Sequence, residues 1–201
     1  MSDGVPTDAG TDVVSRSMTI DRPSPSHPEP HVPRVRPADR ESMSAATQEL
    51  LSLTTRPDGT VPPTVAVLTH RPALLGPFLA WAAALALEGA LSPRQHELLA
   101  LRTVARCESS FEWDEHVAFA RRAGISDIEM AAVASLDVPG PWSPEDAALI
   151  QAADDLTAAR TIARSTWASL ADAYDDAELA EIPFVVGQYT MLSMVANALH
   201  L

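Results

Sequence analysis

The sequence predicts an all-α domain, a multi-helix bundle of roughly seven to eight helices. Three observations carry that expectation. Apolar residues recur at helical spacing behind recognisable caps, most clearly over residues 91–124, LSPRQHELLALRTVARCESSFEWDEHVAFARRAG. Hydrophobic residues make up 46% of the chain, and much of that is alanine, which favours closely packed helices over a sheet. No segment of convincing length alternates as a strand does, and neither a glycine-rich phosphate loop nor a nucleophile elbow is present.

The elements follow in chain order. Residues 1–42 form a proline-rich arm expected to be disordered: 7 of the 17 prolines fall within the first 40 residues, too often for helix or strand. His27 and His31 in it are too sparse for a metal tract. Residues 43–201 read as a single domain. A first helix is expected over 44–54 with Leu50, Leu51 and Leu53. Arg56-Pro57-Asp58-Gly59 is a turn by its residue chemistry, and 64–70 reads as a short helix. Arg71-Pro72 opens an alanine-rich helix ending near Gly89, anchored by Phe78 and Trp81, with Pro77 marking a kink or a late start. His70 before it reads as a surface or capping residue.

The central pair of helices comes next. Ser92 is the N-cap, Pro93 the first helical position, and Gln95 completes a capping box. Leu98, Leu101 and Ala105 give one apolar stripe. Glu108-Ser109-Ser110 breaks the run, and a second helix carries Phe111 to Arg122 until Gly124 stops it. Ser126 and Glu129 form another capping box, opening a helix to about Ser135. Val138 to Pro141 is a loop. Ser143 and Pro144 start a helix with Leu149, Ile150, Ala153 and Leu156. Ser165 or Thr166 caps a helix holding Trp167 and Leu170, and Asp175 or Asp176 caps the last one. Pro183 falls near its first turns. Its face of Phe184, Val185, Gln188, Met191, Leu192, Val195 and Leu199 is too apolar for solvent, so it packs in the core, against another subunit, or both.

Composition narrows the function classes. The formal charge is −13 with a sequence pI near 4.7. All the basic residues are arginine. An acidic surface repels phosphate backbones and anionic lipid, which argues against nucleic-acid and membrane-surface roles. The single cysteine, Cys107, excludes an internal disulfide and a cysteine-based metal site. No uninterrupted apolar run approaches the roughly 18 residues of a bilayer span; the longest, 74–87, reads as a buried helix. The N-terminus lacks the basic-then-apolar order of a signal peptide. The expected compartment is the cytoplasm.

Chemistry concentrates on the central pair. Glu97 lies between Leu98 and Leu101 on the inner side of its helix. Glu112 and His116 are i,i+4 and share a face, with Trp113 i,i+3 from His116. Two carboxylates, an imidazole and an aromatic shield can therefore converge between two helices, as a proton-transfer site requires. Plainer readings stand beside this one. Glu97 could pair with Arg94 or Arg102, Glu112 and His116 could merely buttress a helix, and Trp113 could be core. Cys107 reads as a small inert apolar residue.

The segments RQHELLALRTVARCESSFEWDEHVAFARRAGISDIEMAAV, WSPEDAALIQAADDL, TWASLADAYDDAEL and VGQYTMLSMVANAL resemble the carboxymuconolactone decarboxylase and alkylhydroperoxidase D superfamily in order and spacing. The resemblance covers most of residues 91–201 and leaves out the arm and the first helices. It implies an alkylhydroperoxidase D-like all-α fold that assembles into trimers or hexamers, with a site near the subunit interface. In the hydroperoxidase branch a Cys-x-x-Cys pair precedes a histidine, and an upstream glutamate completes the relay. Counted back from His116, the cysteine positions fall on Ser109 and Glu112, and the glutamate position falls on Glu97. The redox pair is absent and Cys107 is two residues out of register, so disulfide peroxidase chemistry is not expected.

What remains is Glu97, Glu112 and His116 as catalytic acid–base groups. Arg102 or Arg106 is a candidate for holding a substrate carboxylate. Trp113 is a candidate for substrate contact, and Tyr189, with Gln188 and Asn197, for hydrogen bonding from the last helix. The decarboxylase branch works without metal or organic cofactor, so none is expected, although a Glu/Glu/His set has the ligand types for a divalent ion. The expected function is a cofactor-independent decarboxylase, lyase or isomerase acting on a small organic acid or lactone. Two alternatives stay open: an alkylhydroperoxidase-like or metal-assisted oxidoreductase, and a non-catalytic oligomeric binding protein.

Overall fold

The computed structural model describes residues 32–135 and 140–201. Among them are nine α-helices: α1 (Ala45–Ser52), α2 (Pro63–Ala66), α3 (Pro72–Leu87), α4 (Pro93–Arg106), α5 (Ser110–Arg122), α6 (Asp127–Ala134), α7 (Pro144–Ala159), α8 (Arg164–Ala173) and α9 (Asp176–Leu199). Short 3-10 turns at Arg40–Ser42 and Val67–His70 complete the order. The sequence-expected short helix over 64–70 is thus α2 running into a 3-10 turn.

Most helix starts are set by local chemistry. Ser44, Ser92, Ser126, Ser143 and Asp175 each accept a backbone N–H of the first turn through a side-chain oxygen. Both expected capping boxes are complete, and Asp175 with Glu178 makes a third. α8 departs from expectation. Its N-cap is Ala163, not Ser165 or Thr166, because the capping acceptor comes from another helix. Asp155 Oδ2 on α7 accepts the Ala163 N–H at 3.0 Å and the Thr166 hydroxyl at 2.7 Å.

α4 is the centre of the bundle. Every residue from His96 to Ala105 is buried, and α5, α6, α7 and α9 pack around it. The turn into α5 is a Schellman motif, with Ser109 N–H bonded to Val104 O at 3.0 Å and Glu108 N–H to Ala105 O at 3.2 Å. Glu108 takes the left-handed position, φ 52°. The same motif ends α5, where Gly124 sits at φ 86° as its expected stop. The first of these turns lays α5 back along α4, which brings Glu97 opposite His116.

Two apolar clusters hold the molecule. The larger joins α4 to α7, α9 and their neighbours through Leu98, Leu101, Trp113, Met130, Leu149 and Ile182. A smaller one, Leu51, Val65 and Leu75, ties α1, α2 and α3 into a cap.

Three expectations change here. α3 is not a buried helix: only Leu75 and Leu85 are buried, because one side of α3 walls a cavity and the other faces outward. Pro77 lies within α3 without delaying its start. α9, at 24 residues and a mean hydropathy of 1.3, is long and apolar enough by length and composition to cross a bilayer. In the fold it is a core helix, burying Ile182, Val185, Tyr189, Ser193 and Ala196, with Pro183 well inside it.

The end of the expected arm is also tied down. Arg34 N–H bonds Leu199 O at 2.8 Å, Ala38 N–H bonds Thr69 Oγ1 at 3.0 Å, and exposed His70 donates Nε2–H to Arg36 O at 2.7 Å. His27 and His31 lie outside the described residues, as do residues 138 and 139 of the loop expected over 138–141.

Replacing Asp155 with Ala removes the acceptor that caps α8. The expected cost is about 1–2 kcal/mol, read as a lower denaturant midpoint at unchanged slope; an unchanged midpoint would show that the cap contributes nothing.

Candidate active site

The polar residues of α4 decide the geometry. Glu97 reaches neither arginine that sequence spacing offered. Arg94 pairs with Glu129 and Asp146, and Arg102 pairs with Asp154. Glu97 Oε2 instead lies 2.9 Å from His116 Nδ1 on α5. A carboxylate only accepts, so Nδ1 carries the proton and donates it, leaving Nε2 as the basic nitrogen of the ring.

Tyr189 on α9 packs edge-on to His116 with ring centroids 4.6 Å apart, and its hydroxyl meets His96 Nε2 at 2.9 Å. Burial pushes the Tyr189 phenol well above its usual range and the His96 imidazole below its own, so this pair is neutral at physiological pH.

Glu112 is only 3% exposed, and its Oε1 has no hydrogen-bond partner. Burial is the main cause that raises its pKa to about 7; nearby His116 opposes the shift and Glu115 adds to it. A carboxyl poised there exchanges protons at neutral pH.

These groups face one cavity of about 660 Å³. His96, Glu112, His116 and Tyr189 line one side, while Leu50, Leu53, Phe78 and Leu79 of the cap line the other. At its edge Glu115 forms an ion pair with Arg56 from the turn after α1, joining α5 to the cap.

Not every candidate residue belongs here. Arg102 is corrected: its guanidinium grips Asp154 in a bidentate pair at 2.6 and 2.8 Å and donates to Val133 O at 2.9 Å, so it does not line the cavity. Arg106 grips the same Asp154. Burial works against the Asp154 charge, but hydrogen bonds from Arg106 and Arg102 more than offset it and hold the carboxyl below its usual range. Trp113 is corrected too, since it is buried in the main core and not on the cavity wall. Gln188 lines the cavity and accepts from Trp81 Nε1 at 3.0 Å, whereas Asn197 donates to Cys107 O at 2.9 Å away from it.

His96 and Glu115 are the site residues that the sequence reading missed. The adjacent His96-Glu97 pair was the one available signal, because neighbours on a buried helix point toward different packed partners. Among the described residues, no three His, Cys, Asp or Glu side chains gather as metal ligands.

These residues define a helical bundle around a buried central helix, with a carboxylate–imidazole pair set beside a largely apolar cavity. Residues 72–155, from the start of α3 into α7, match the Carboxymuconolactone decarboxylase family. That matched stretch is similar to the family over the helices that carry Glu97, Glu112 and His116, and the chain has one cysteine and no Cys-x-x-Cys pair.

Solved structures show the same fold. An alkylhydroperoxidase AhpD core, an uncharacterized peroxidase-related protein from Ralstonia eutropha JMP134, aligns at TM-score 0.73 and 19% identity over 85% of this chain and 90% of that one. An uncharacterized peroxidase-related protein from Silicibacter sp. TM1040 aligns at TM-score 0.70 and 19% identity over 90% and 93%. A protein of unknown function from Agrobacterium tumefaciens aligns at TM-score 0.60 and 18% identity over 66% and 91%. Among curated proteins, none matches the sequence.

Glu112 gives a stability signature. Its folded pKa of about 7 lies above the ordinary 4.5, so the folded state holds a proton that the unfolded chain has released between those values. Its contribution is favourable at low pH and is lost as pH rises through about 7. Glu112→Gln is expected to remove that decline and to stabilise the protein at alkaline pH by up to about 3 kcal/mol. Melting curves of both proteins across this range check it, and parallel curves would refute the raised pKa.

Proposed function

We propose that this protein is a cofactor-independent acid–base enzyme, a lyase or isomerase acting on an enolisable carbonyl compound such as a lactone. The observation that carries the reading is the 2.9 Å bond from His116 Nδ1 to Glu97, in a cavity that His116 shares with Glu112. With Nδ1 committed to Glu97, Nε2 takes the proton from the carbon next to the substrate carbonyl. The C–H electron pair moves into the enolate and the imidazolium forms beside the Glu97 carboxylate. Protonated Glu112 donates to the enolate oxygen or returns a proton to carbon. In a lyase the same groups protonate the enolate that bond cleavage leaves.

The hydroperoxidase alternative finds no support at Cys107. Burial pushes its thiol up, away from the nucleophilic thiolate, and it does not line the cavity.

The test offers enolisable ketones, lactones and β-keto acids in deuterium oxide and reads deuterium at the α-carbon. Exchange is expected to fall at least about 100-fold in Glu97→Gln and in His116→Ala, to survive Cys107→Ser, and to decline as pH rises through about 7, where Glu112 loses its proton. Undiminished exchange in the first two variants would overturn the roles given to Glu97 and His116, and no exchange above the solvent rate in the parent protein would favour a binding protein that keeps only the fold.

Assembly into a trimer or hexamer is part of the proposal. Its support is the apolar outer surface of α3 and α9, where Trp81, Phe184, Met191 and Met194 are exposed and the Trp81 and Phe184 rings pack edge-on at 5.7 Å. Phe184→Glu is expected to shift the mass measured by light scattering to that of one chain; an unaltered oligomer would place the interface elsewhere.

A further inference from the structure

We propose that the cavity selects an uncharged, largely apolar substrate, with a single carbonyl-type polar end, over any carboxylate-bearing one. This deepens the acid–base reading and rests on it for what happens at the carbonyl. The inference itself comes from the charge and shape of the cavity.

The volume, about 660 Å³, is that of a site for a compact organic molecule of more than one ring. The cap side is mostly apolar, with Leu50, Leu53, Val65, Phe78 and Leu79 outweighing Thr54 and Thr64, and Phe119 and Leu192 continue that surface from α5 and α9. Polar atoms gather at the opposite side, where His96, Glu112, His116 and Tyr189 meet. A ligand filling this space has one polar end and an apolar body beneath the cap.

The ionic groups fix the sign. Glu112 and Glu115 both line the cavity, and Glu97 lies directly behind His116. Among the described lining residues the only guanidinium is that of Arg56, and it is ion-paired with Glu115. Of the other guanidiniums on the central helices, Arg102 and Arg106 are held by Asp154, Arg94 by Glu129 and Asp146, and Arg121 by Asp127, while Arg122 lies over the Phe119 ring; none of them lines the cavity. A carboxylate entering here gives up its hydration without gaining a cation and meets acidic groups instead. The net charge of −13 repels it during approach as well. An uncharged carbonyl incurs neither cost and can accept from the neutral hydrogen-bonding groups at the polar end. Proton shuffling or ring opening on a ketone or lactone therefore suits the site, and release of carbon dioxide from a carboxylate substrate does not.

The probes are 2-acetylnaphthalene and its ring-carboxylated counterpart 6-acetyl-2-naphthoate, titrated into the full chain by fluorescence at mildly alkaline pH. The uncharged ketone is expected to bind at least about tenfold more tightly than the carboxylate. Glu115→Gln, which frees Arg56 at the cavity edge, is expected to narrow that gap several-fold. Ala83→Phe fills the cavity and should abolish ketone binding at unchanged circular dichroism; Thr54→Trp, outside any helix, serves the same purpose should Ala83→Phe not fold.

Equal or tighter binding of the carboxylate, no binding of the ketone, or ketone binding indifferent to both filling variants would overturn the proposal. A gap unchanged by Glu115→Gln would overturn the part assigned to the Arg56 pair. Because these readouts need no turnover, they stand apart from the deuterium exchange. The selectivity can fail with His116 still essential, and His116 can prove dispensable with the selectivity intact.

Discussion

A helix buried on every side cannot leave its polar groups to water, and α4 carries four of them in its buried run: His96, Glu97, Arg102 and Thr103. Three find partners on three different helices. His96 meets Tyr189 of α9, Glu97 meets His116 of α5, and Arg102 meets Asp154 of α7 while donating to carbonyls at the end of α6. Unpaired, each would cost on the order of kilocalories per mole in the core. The arrangement of the surrounding helices and the existence of the site are thus two results of one constraint. Arg102 joins α4 to α6 and α7, and Glu97 joins it to α5.

The polar groups beside the cavity are satisfied by degrees. Glu97 is satisfied and enclosed, His116 stands between it and the cavity, and Glu112 is buried with an oxygen that nothing in the described chain satisfies. Such an orphaned acceptor is destabilising in a folded protein and is commonly kept where chemistry uses it. Its pull toward the protonated form follows from the same lack of partners.

Much of this was legible in the sequence, and the limits were physical. The serine caps before α4, α6 and α7, and the glycine after α5, could be read because donor and acceptor lie within three residues of each other. Glu97, Glu112 and His116 could be read from their spacing and from a resemblance to a known superfamily. Arg102 looked available because its partner Asp154 is 52 positions away, and no local pattern joins them. The cap of α8 was misplaced for the same reason, its acceptor being Asp155 on the preceding helix. His96 passed unnoticed because its role depends on a tyrosine 93 residues downstream. The apolarity of α3 signalled burial, whereas half of that surface faces a cavity that only the folded cap creates.

That cap has a further meaning. The side chains of Glu97, Glu112 and His116 all fall within residues 72–155, the stretch that matches the family model. Leu50, Leu53, Thr54, Arg56, Pro62, Thr64 and Val65, which close the cavity opposite them, come from the chain before it. The cap wall is therefore drawn from two lengths of the polypeptide, since Phe78 and Leu79 of α3 complete it from within the matched stretch. A change confined to the segment before residue 72 would thus reshape one wall of the cavity while leaving the bond between Glu97 and His116 in place.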